Sequence, residues 1–475
     1  MLKKSFTVMS VAAVFFASAQ NMSTVKNSVD IYSNTNFFGS AKYNGMAGST
    51  GALGGDGNSL LNNPAGLGVA ISSDFSGTLA VESNKNVSSL NGSSIDYKIN
   101  TGEIGNINGV AAFQLMTESP WKFVNIGISY SNQTIEDYVE TPGNSSIVIQ
   151  KALVDAGGND VTGNLSYLGH AYNRYGNQSK MSIGVGANYA NSLYLGAGLN
   201  FHYAQIEQYD SAQFGLDLDN SVNTYDKQYT PFTEESAGFS ATFGVIGKVN
   251  NQFRLGASVE TPTWWTIQRL YNENYVDNSG YISFETLEES RNFSSPLKAN
   301  LSASFVPNKN FSLNVDYSLG LTKPRYRVQG AAESELNDFF NDNYKSLSEV
   351  KFGAEYRLKA LRLRGGYAFA TNPFDAVSIS SYSNTGVEGN TSYDQLFIGK
   401  RNTLGLGIGY AFTSLFIDAA FQNTVSEYSN PFLRGSEEFG TGYYSADFDV
   451  NSNSSVVSQV KNTRNNFFLT VGWKF

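Results

Sequence analysis

Residues 181–204 read MSIGVGANYANSLYLGAGLNFHYA. Met181, Ile183, Val185 and Tyr189 share one phase of this stretch; Ser182, Gly184, Gly186 and Asn188 share the other. After Asn191-Ser192 the alternation restarts, with Leu193, Leu195, Leu199, Phe201 and Tyr203 set against Gly196, Gly198, Asn200 and His202. A strand sends successive side chains to opposite faces, so a period of two marks a strand whose faces meet different surroundings. Two such runs joined by two turn-forming residues read as an antiparallel hairpin.

A soluble sandwich also alternates, so the chemistry of the two phases decides. Along the rest of the chain the polar phase carries Arg254, Glu260, Lys298, Asp316, Lys351, Glu355, Arg364 and Asp418. The opposite phase of the same segments is almost free of charge: Leu255, Val259, Leu301, Phe305, Phe352, Tyr356, Leu363 and Ile417. That distribution suits a cylinder with lipid outside and water inside. In hydrocarbon every backbone group must be paired internally, which for strands requires closure. Fourteen runs follow the pattern: 73–82, 108–116, 121–132, 181–192, 193–205, 237–250, 252–261, 296–307, 310–319, 349–358, 361–370, 402–412, 414–422 and 465–475. Their links alternate between tight turns and long polar stretches (133–180, 206–236, 262–295, 320–348, 371–401, 423–464). Short turns at one end and long loops at the other are the outer-membrane arrangement. The expected fold is all-β, a 14-stranded antiparallel transmembrane β-barrel.

Composition agrees with this and excludes much else. Charged residues are 15% of the 475, and there are 2 histidines and no cysteine. Disulfides, thiol catalysis and a His-rich metal site are excluded, and a net charge of −9 argues against nucleic acid as a partner. Lys3 and Lys4, a short apolar run and Ala17-Ser18-Ala19 form a signal peptide over 1–19. The apolar run is shorter than the ~20 residues a membrane helix needs. Phe467, Leu469, Val471, Trp473 and Phe475 end the chain on an aromatic strand, the usual signal for barrel-insertion machinery. The expected location is the outer membrane of a Gram-negative cell, crossed many times, with the barrel over 73–475.

Residues 20–72 do not alternate. They contain NTNFFGSAKYNGMAGSTGALGGDG (34–57) and NSLLNNPAGLGVA (58–70), rich in small residues that permit close backbone approach. A barrel this wide leaves a lumen to fill, and this segment is the candidate plug. Here the sequence resembles the FadL/TodX family of outer-membrane hydrophobic-compound channels, in the form common in Bacteroidetes. The resemblance rests on YNGMAGSTGALGGDGNSLLNNPAG (43–66), on LGASVETPTWW (255–265) and on SEVKFGAEYRL (348–358). It implies a monomeric barrel closed by an N-terminal hatch, with Asn63, Pro64, Ala65 and Gly66 at the hatch core. It also implies extracellular capture of a hydrophobic small molecule such as a long-chain fatty acid, and lateral exit into the membrane lipids at the third strand, where Gly127 is a candidate weak point. A non-transporting barrel that shuttles cargo in Bacteroidetes protein secretion is the alternative. Haem uptake is attached to similar sequences, but no haem motif is present.

Trp264, Trp265, Leu270 and Tyr271 lie in an aromatic stretch that also holds Tyr275, Tyr281 and Phe284. They read either as a ligand-binding groove or as an interfacial aromatic belt. Leu336, Phe339, Phe340, Tyr344 and Leu347 fall near helical spacing with Ser334 as candidate cap, a helix that would lid the barrel. Lys351, Arg357, Arg362 and Arg364 could hold a carboxylate head group, although Glu355 lies among them. His170 and His202 lie in no nucleophile motif, and Gly405, Gly407 and Gly409 lack the strand-then-helix setting of a nucleotide site. No catalytic residue, metal ligand or cofactor is expected.

Overall fold

The computed structural model describes residues 22–33, 37–116, 118–154, 160–218, 221–228, 231–276, 282–432 and 454–475. The signal peptide and Tyr281 lie outside these residues.

Fourteen antiparallel strands close on themselves. They are β1 (Asp74–Leu90), β2 (Ser93–Gln114), β3 (Trp121–Val154), β4 (Asp160–Tyr189), β5 (Leu193–Leu218), β6 (Phe232–Lys248), β7 (Phe253–Glu260 continued by Trp264–Val276), β8 (Ile282–Ser294 continued by Lys298–Asn308), β9 (Phe311–Gly320), β10 (Ser348–Leu358), β11 (Leu361–Ala370), β12 (Arg401–Ala411), β13 (Leu415–Phe432) and β14 (Val456–Lys474). Each pairs with its chain neighbours, and β1 pairs with β14 from Asp74 opposite Lys474 to Ser89 opposite Gln459, which closes the wall.

The apolar phase faces outward. Val124, Ile126 and Ile128 on β3, Met181, Ile183 and Val185 on β4, and Leu404, Leu406 and Ile408 on β12 are all exposed. Tyr130, Tyr189, Tyr356, Tyr367, Tyr410 and Trp473 are exposed near the limits of this band, where aromatic girdles belong. The inward phase holds Asn106, Asn125, Ser182, Asn200, Asn314, Arg364 and Asp418, all buried.

The long polar stretches 133–180, 206–236 and 262–295 are largely strand, not loop, among the described residues. A tilted strand crosses hydrocarbon in ~9–11 residues, yet β3 has 34 and β4 has 30. Past Tyr130 and Met181 the two continue as a ladder out to Val154 opposite Asp160. The expected link 83–107 is likewise a hairpin, turned by Asn91-Gly92 with φ of 49° and 81°, a two-residue turn whose twist matches the strands. These extensions lost their apolar alternation because neither face meets lipid, and alternation was what marked the other strands.

Prolines break two strands. Pro262 and Pro296 have no N–H to give the ladder. The chain is instead held across the break by Thr263 N–H to Ser295 Oγ (2.8 Å) and Ser295 N–H to the Thr263 carbonyl (3.1 Å). Between β9 and β10 a helix spans Ala331–Asn343. Its first turn is closed by Gly330 N–H donating to the Glu333 carboxylate (2.8 Å), so Ser334 is not its cap. Leu336 and Phe340 are buried from it into the mouth of the barrel, and Phe339 is partly buried against the same cluster.

The N-terminal segment lies inside the bore. α1 (Met22–Asp30), α2 (Ala41–Gly45), α3 (Ser59–Asn62) and a 3-10 turn (Pro64–Val69) follow one another. The barrel begins and ends at the short-turn side, while α1 sits at the opposite mouth beside Asp137 and Arg174.

Candidate functional site

The hatch is held at two levels. At the lower one, Asn63 caps the 3-10 turn: its Oδ1 accepts from Ala65 N–H (3.1 Å) while its Nδ2 donates to the carbonyls of Val245 (3.2 Å) on β6 and Ala257 (3.4 Å) on β7. Pro64 supplies the fixed φ that suits the first helical position. The wall meets this turn with glycine. A Cβ on Gly196 would stand 2.3 Å from Ala65 N, and one on Gly366, across the bore, 2.2 Å from the Met46 carbonyl carbon. Only residues without a Cβ allow the hatch backbone to lie this close. Around the rest of the circumference the wall reaches in with side chains. Asp316 accepts from Thr50 N–H (3.0 Å) and Gly51 N–H (2.9 Å), Thr470 accepts from Ala41 N–H (2.8 Å), and Asn125 donates to the carbonyls of Leu67 (2.7 Å) and Ala70 (2.8 Å).

At the upper level α1 is clamped by charge and by apolar contact. Arg174, fully buried, donates to Asn27 (2.6 Å), to Asp30 and to Asp137 (3.1 Å). Lys26 donates to Asp137 (3.2 Å) and stands 4.3 Å from the Tyr172 ring centroid. Burial alone would raise the Asp137 carboxyl, but the Lys26 and Arg174 charges override it and hold the group well below the ordinary carboxylate range. Val25 and Val29 join Trp265, Phe293, Tyr326, Leu336 and Phe340 in one cluster.

Between the two levels lie two chambers. One, of about 140 Å³, is bounded by Tyr32, His202, Glu260, Trp265 and Lys298. The other, of about 190 Å³, is bounded by Ile31, Phe38, Glu82, Phe397, Arg464 and Asn466. Phe37, Tyr43, Glu349 and Lys351 border both.

No family model matches the chain, and no curated protein matches it in sequence. Solved structures do. A FadL homologue of Pseudomonas aeruginosa superposes with a TM-score of 0.54 at 12% identity, over 91% of this chain and 98% of that one. The toluene transporter TodX of Pseudomonas putida gives a TM-score of 0.51 at 12% identity, over 93% and 99%. The chain has the FadL fold.

Within that FadL fold the expected ligand residues separate. Trp264 points outward, 50% exposed, and stacks on Phe239. Trp265 points inward, 3% exposed; its indole N–H donates to the Tyr32 carbonyl (3.1 Å), and its ring meets the Tyr32 ring edge-on at 5.0 Å. The two tryptophans adjoin in sequence, but consecutive strand residues face opposite ways, so one stands in the belt position and the other in the bore. Leu270 is exposed outward and Tyr271 is half-buried on the inward phase. The structure does not bring the four together.

Most of the basic residues expected to bind a head group are occupied. Arg364 pairs with Glu355 (2.7 Å) and Asp418 (3.0 Å), Arg357 with Glu355 (2.6 Å), and Lys351 with Glu349 (3.1 Å). Lys298, by contrast, borders the smaller chamber with no ion pair among the described residues. His202 donates to or accepts from Ser240 (3.0 Å). His170 is buried beyond the membrane band, bonded to the Tyr167 hydroxyl (2.6 Å) and stacked on Phe432 at 4.0 Å.

Gly127 is no weak point in the FadL-type wall. β3 is laddered there to Val110 on β2 and to Gly184 on β4, and a Cβ would stand 2.5 Å from Leu67 of the hatch. The β2–β3 ladder instead stops at Asn106–Ser131. Above that point β2 continues with β1 alone, and Glu103 spans to β3 by accepting from Asn132 Nδ2 (2.7 Å) and Thr134 N–H (3.1 Å). Gly184, Gly186, Gly196 and Gly198 share the inward phase of β4 and β5, and Gly366 and Gly405 that of β11 and β12. Their recurrence on one phase of several strands was the signal for a closely packed occupant.

Proposed function

We propose that this protein is an outer-membrane channel for diffusion-driven uptake of hydrophobic small molecules, gated by its own hatch. The observation that carries the reading is the seating of Asn63–Gly66 against β5, β6 and β7, with chambers directly above it. A molecule captured at the mouth would rest between the two levels of the hatch beside Trp265, while Trp264 and Leu270 on the outer face meet lipid. The end of the β2–β3 ladder above Ser131 is the stretch of wall best suited to lateral exit, because side-chain bonds to Glu103 replace a ladder there. The neighbours named above, one of them described as a toluene transporter, support a hydrophobic substrate.

The test is uptake of a labelled long-chain fatty acid and of a labelled monoaromatic hydrocarbon by cells whose outer membrane carries the protein. Wild type should exceed a vector control for at least one probe, and deletion of 20–72 should alter that flux. Uptake at the control level for both probes sinks the reading. The long extensions of β3 and β4 beyond the membrane band favour one second reading, a cargo shuttle in secretion; stoichiometric co-purification of secreted protein, together with absent uptake, would select it.

A further inference from the structure

The larger chamber carries an unusual charge balance. Five cations and four acids border it, and most cancel in direct pairs: Lys26 and Arg174 with Asp137, Arg174 with Asp30, and Lys351 (3.1 Å) and Arg401 (3.5 Å) with Glu349. Glu82 and Arg464 face each other with no direct contact. Glu82 is 3% exposed, and neither of its carboxylate oxygens receives a hydrogen bond. Its cross-strand partner Asn466, also 3% exposed, and Gln133 from β3 each present a side-chain oxygen that receives none. Arg464 lies two residues from Asn466 on the same inward phase, and its side chain makes no ion pair or hydrogen bond among the described residues. It does not contact Glu82, since no ion pair within 4.0 Å joins them.

Glu82 is buried and Arg464 half-buried; they attract each other across the chamber wall without touching, and a buried charge that lacks direct hydrogen bonds is expensive, so the gap between them defines the shape of what would satisfy both. A hydrocarbon answers neither. A fatty-acid carboxylate answers Arg464 but sets a second anion near Glu82, and a like charge disfavours ionisation. An alkylamine answers Glu82 and faces Arg464. A head that carries an ammonium and a carboxylate a few bonds apart answers both. The ammonium's donors would meet the oxygens of Glu82, Asn466 and Gln133, and the guanidinium fork would take the carboxylate. Ile31, Phe37, Phe38 and Phe397 on the same chamber give an alkyl tail its apolar surface.

We propose that this chamber is a head-group site for zwitterionic single-chain amphiphiles, of the chemical class of lipidic α-amino acids. This rests on the uptake reading and narrows it to a substrate class. The test is calorimetric titration of the purified full chain in detergent with three probes of matched tail: 2-aminotetradecanoic acid, tetradecanoic acid and tetradecylamine. The amino acid should bind at least tenfold tighter than either single-charge analogue. Glu82→Gln should remove at least tenfold for the amino acid and the amine while sparing the acid. Arg464→Gln should do so for the amino acid and the acid while sparing the amine. If a variant loses the heat-modifiable gel mobility of a folded barrel, the ranking of the three probes on wild type still decides. Tetradecanoic acid binding as tightly as the amino acid, both variants leaving the ranking unchanged, or none of the three binding while hydrocarbon uptake persists would each overturn the proposal. Loss of all uptake would instead sink the channel reading beneath it.

Discussion

Asn63→Ala tests whether the hatch is the barrier. The side chain makes three hydrogen bonds, one holding the 3-10 turn and two reaching the backbone of β6 and β7. At about 1 kcal/mol for a well-formed bond, and less for the two longer ones, their loss weakens the seated state by about 2 kcal/mol. At 1.4 kcal/mol per decade, that raises the ratio of displaced to seated hatch about 30-fold. The readout is ion conductance of purified protein in a planar bilayer, where open events should become about 30-fold more frequent. Gly196→Val attacks the same seat from the wall. Its Cβ would stand 2.3 Å from Ala65 N, too close for any small adjustment, so the turn must lift and open events should rise at least as much. Gly247→Val on β6 is the control, because nothing lies within 4 Å of a Cβ there. Heat-modifiable mobility confirms the barrel in each case. Wild-type conductance from both Asn63→Ala and Gly196→Val, with the barrel intact, would refute the assignment of the barrier to this seat.

Other outcomes follow from the same geometry. Trp265→Ala should release α1, at a cost of about 3–5 kcal/mol for a buried tryptophan, seen as faster hydrogen exchange across Met22–Asp30; Trp264→Ala, on the outer face, should leave that exchange at the wild-type rate. The Asp137 carboxyl is depressed, so its stabilising share is complete above the ordinary carboxylate pKa and is lost only as pH falls through its lower native value. Exchange of α1 should therefore not quicken between pH 7 and about pH 4 in wild type, whereas Asp137→Asn should quicken it at pH 7. His170 runs by a different rule: burial pushes its imidazole down to about 3, so its neutral form is favoured and its share of stability is lost as pH falls from about 6.5 towards that value. The β3–β4 extension should loosen across that window by up to about 1.4 kcal/mol per pH unit, and His170→Phe should flatten the response in a thermal melt.

Lipid-facing strand was legible because hydrocarbon imposes one strict demand, apolar residues at every second position. The runs at 181–192, 361–370 and 402–412 lie within strands or reach just past their ends. Beyond the membrane that demand lapses. Residues such as 133–154 on β3 expose one phase to water and bury a mixed one, with Ile135, Val139 and Ile147 in apolar clusters beside Asp137 and Thr141, and their sequence reads as loop although the backbone ladder simply continues. Asn91-Gly92 is a turn signal within such an extension, but no apolar alternation flanks it to mark the strands it joins. The inward partners were less legible still. Arg364 could be placed in the lumen, but its pairing with Asp418 joins β11 to β13, which are not neighbours in the ladder, through the register of the strand between them. Glu82 closes the run 73–82 and Arg464 falls in the long polar stretch 423–464, so the sequence alone does not bring them together; only the ladder and the pairing of the other charges single them out.

The two levels of the hatch are held by different forces, and the difference orders their mobility. The lower level rests on hydrogen bonds from Asp316, Thr470, Asn125 and Asn63, on backbone laid against glycine, and on apolar clusters around Phe38, Leu60 and Leu67 that are smaller than the one around α1. Water can replace each of those bonds at small net cost, because both partners remain satisfied when they separate. α1 is held by Val25, Val29 and the rings around Trp265, and by an Arg174–Asp137–Lys26 group whose separation would strand buried charge. Neither of these exchanges cheaply with water. A hatch that opens would therefore move from its lower seat about a fixed upper end, and the chambers between the two levels would widen toward the periplasm while the mouth kept its shape.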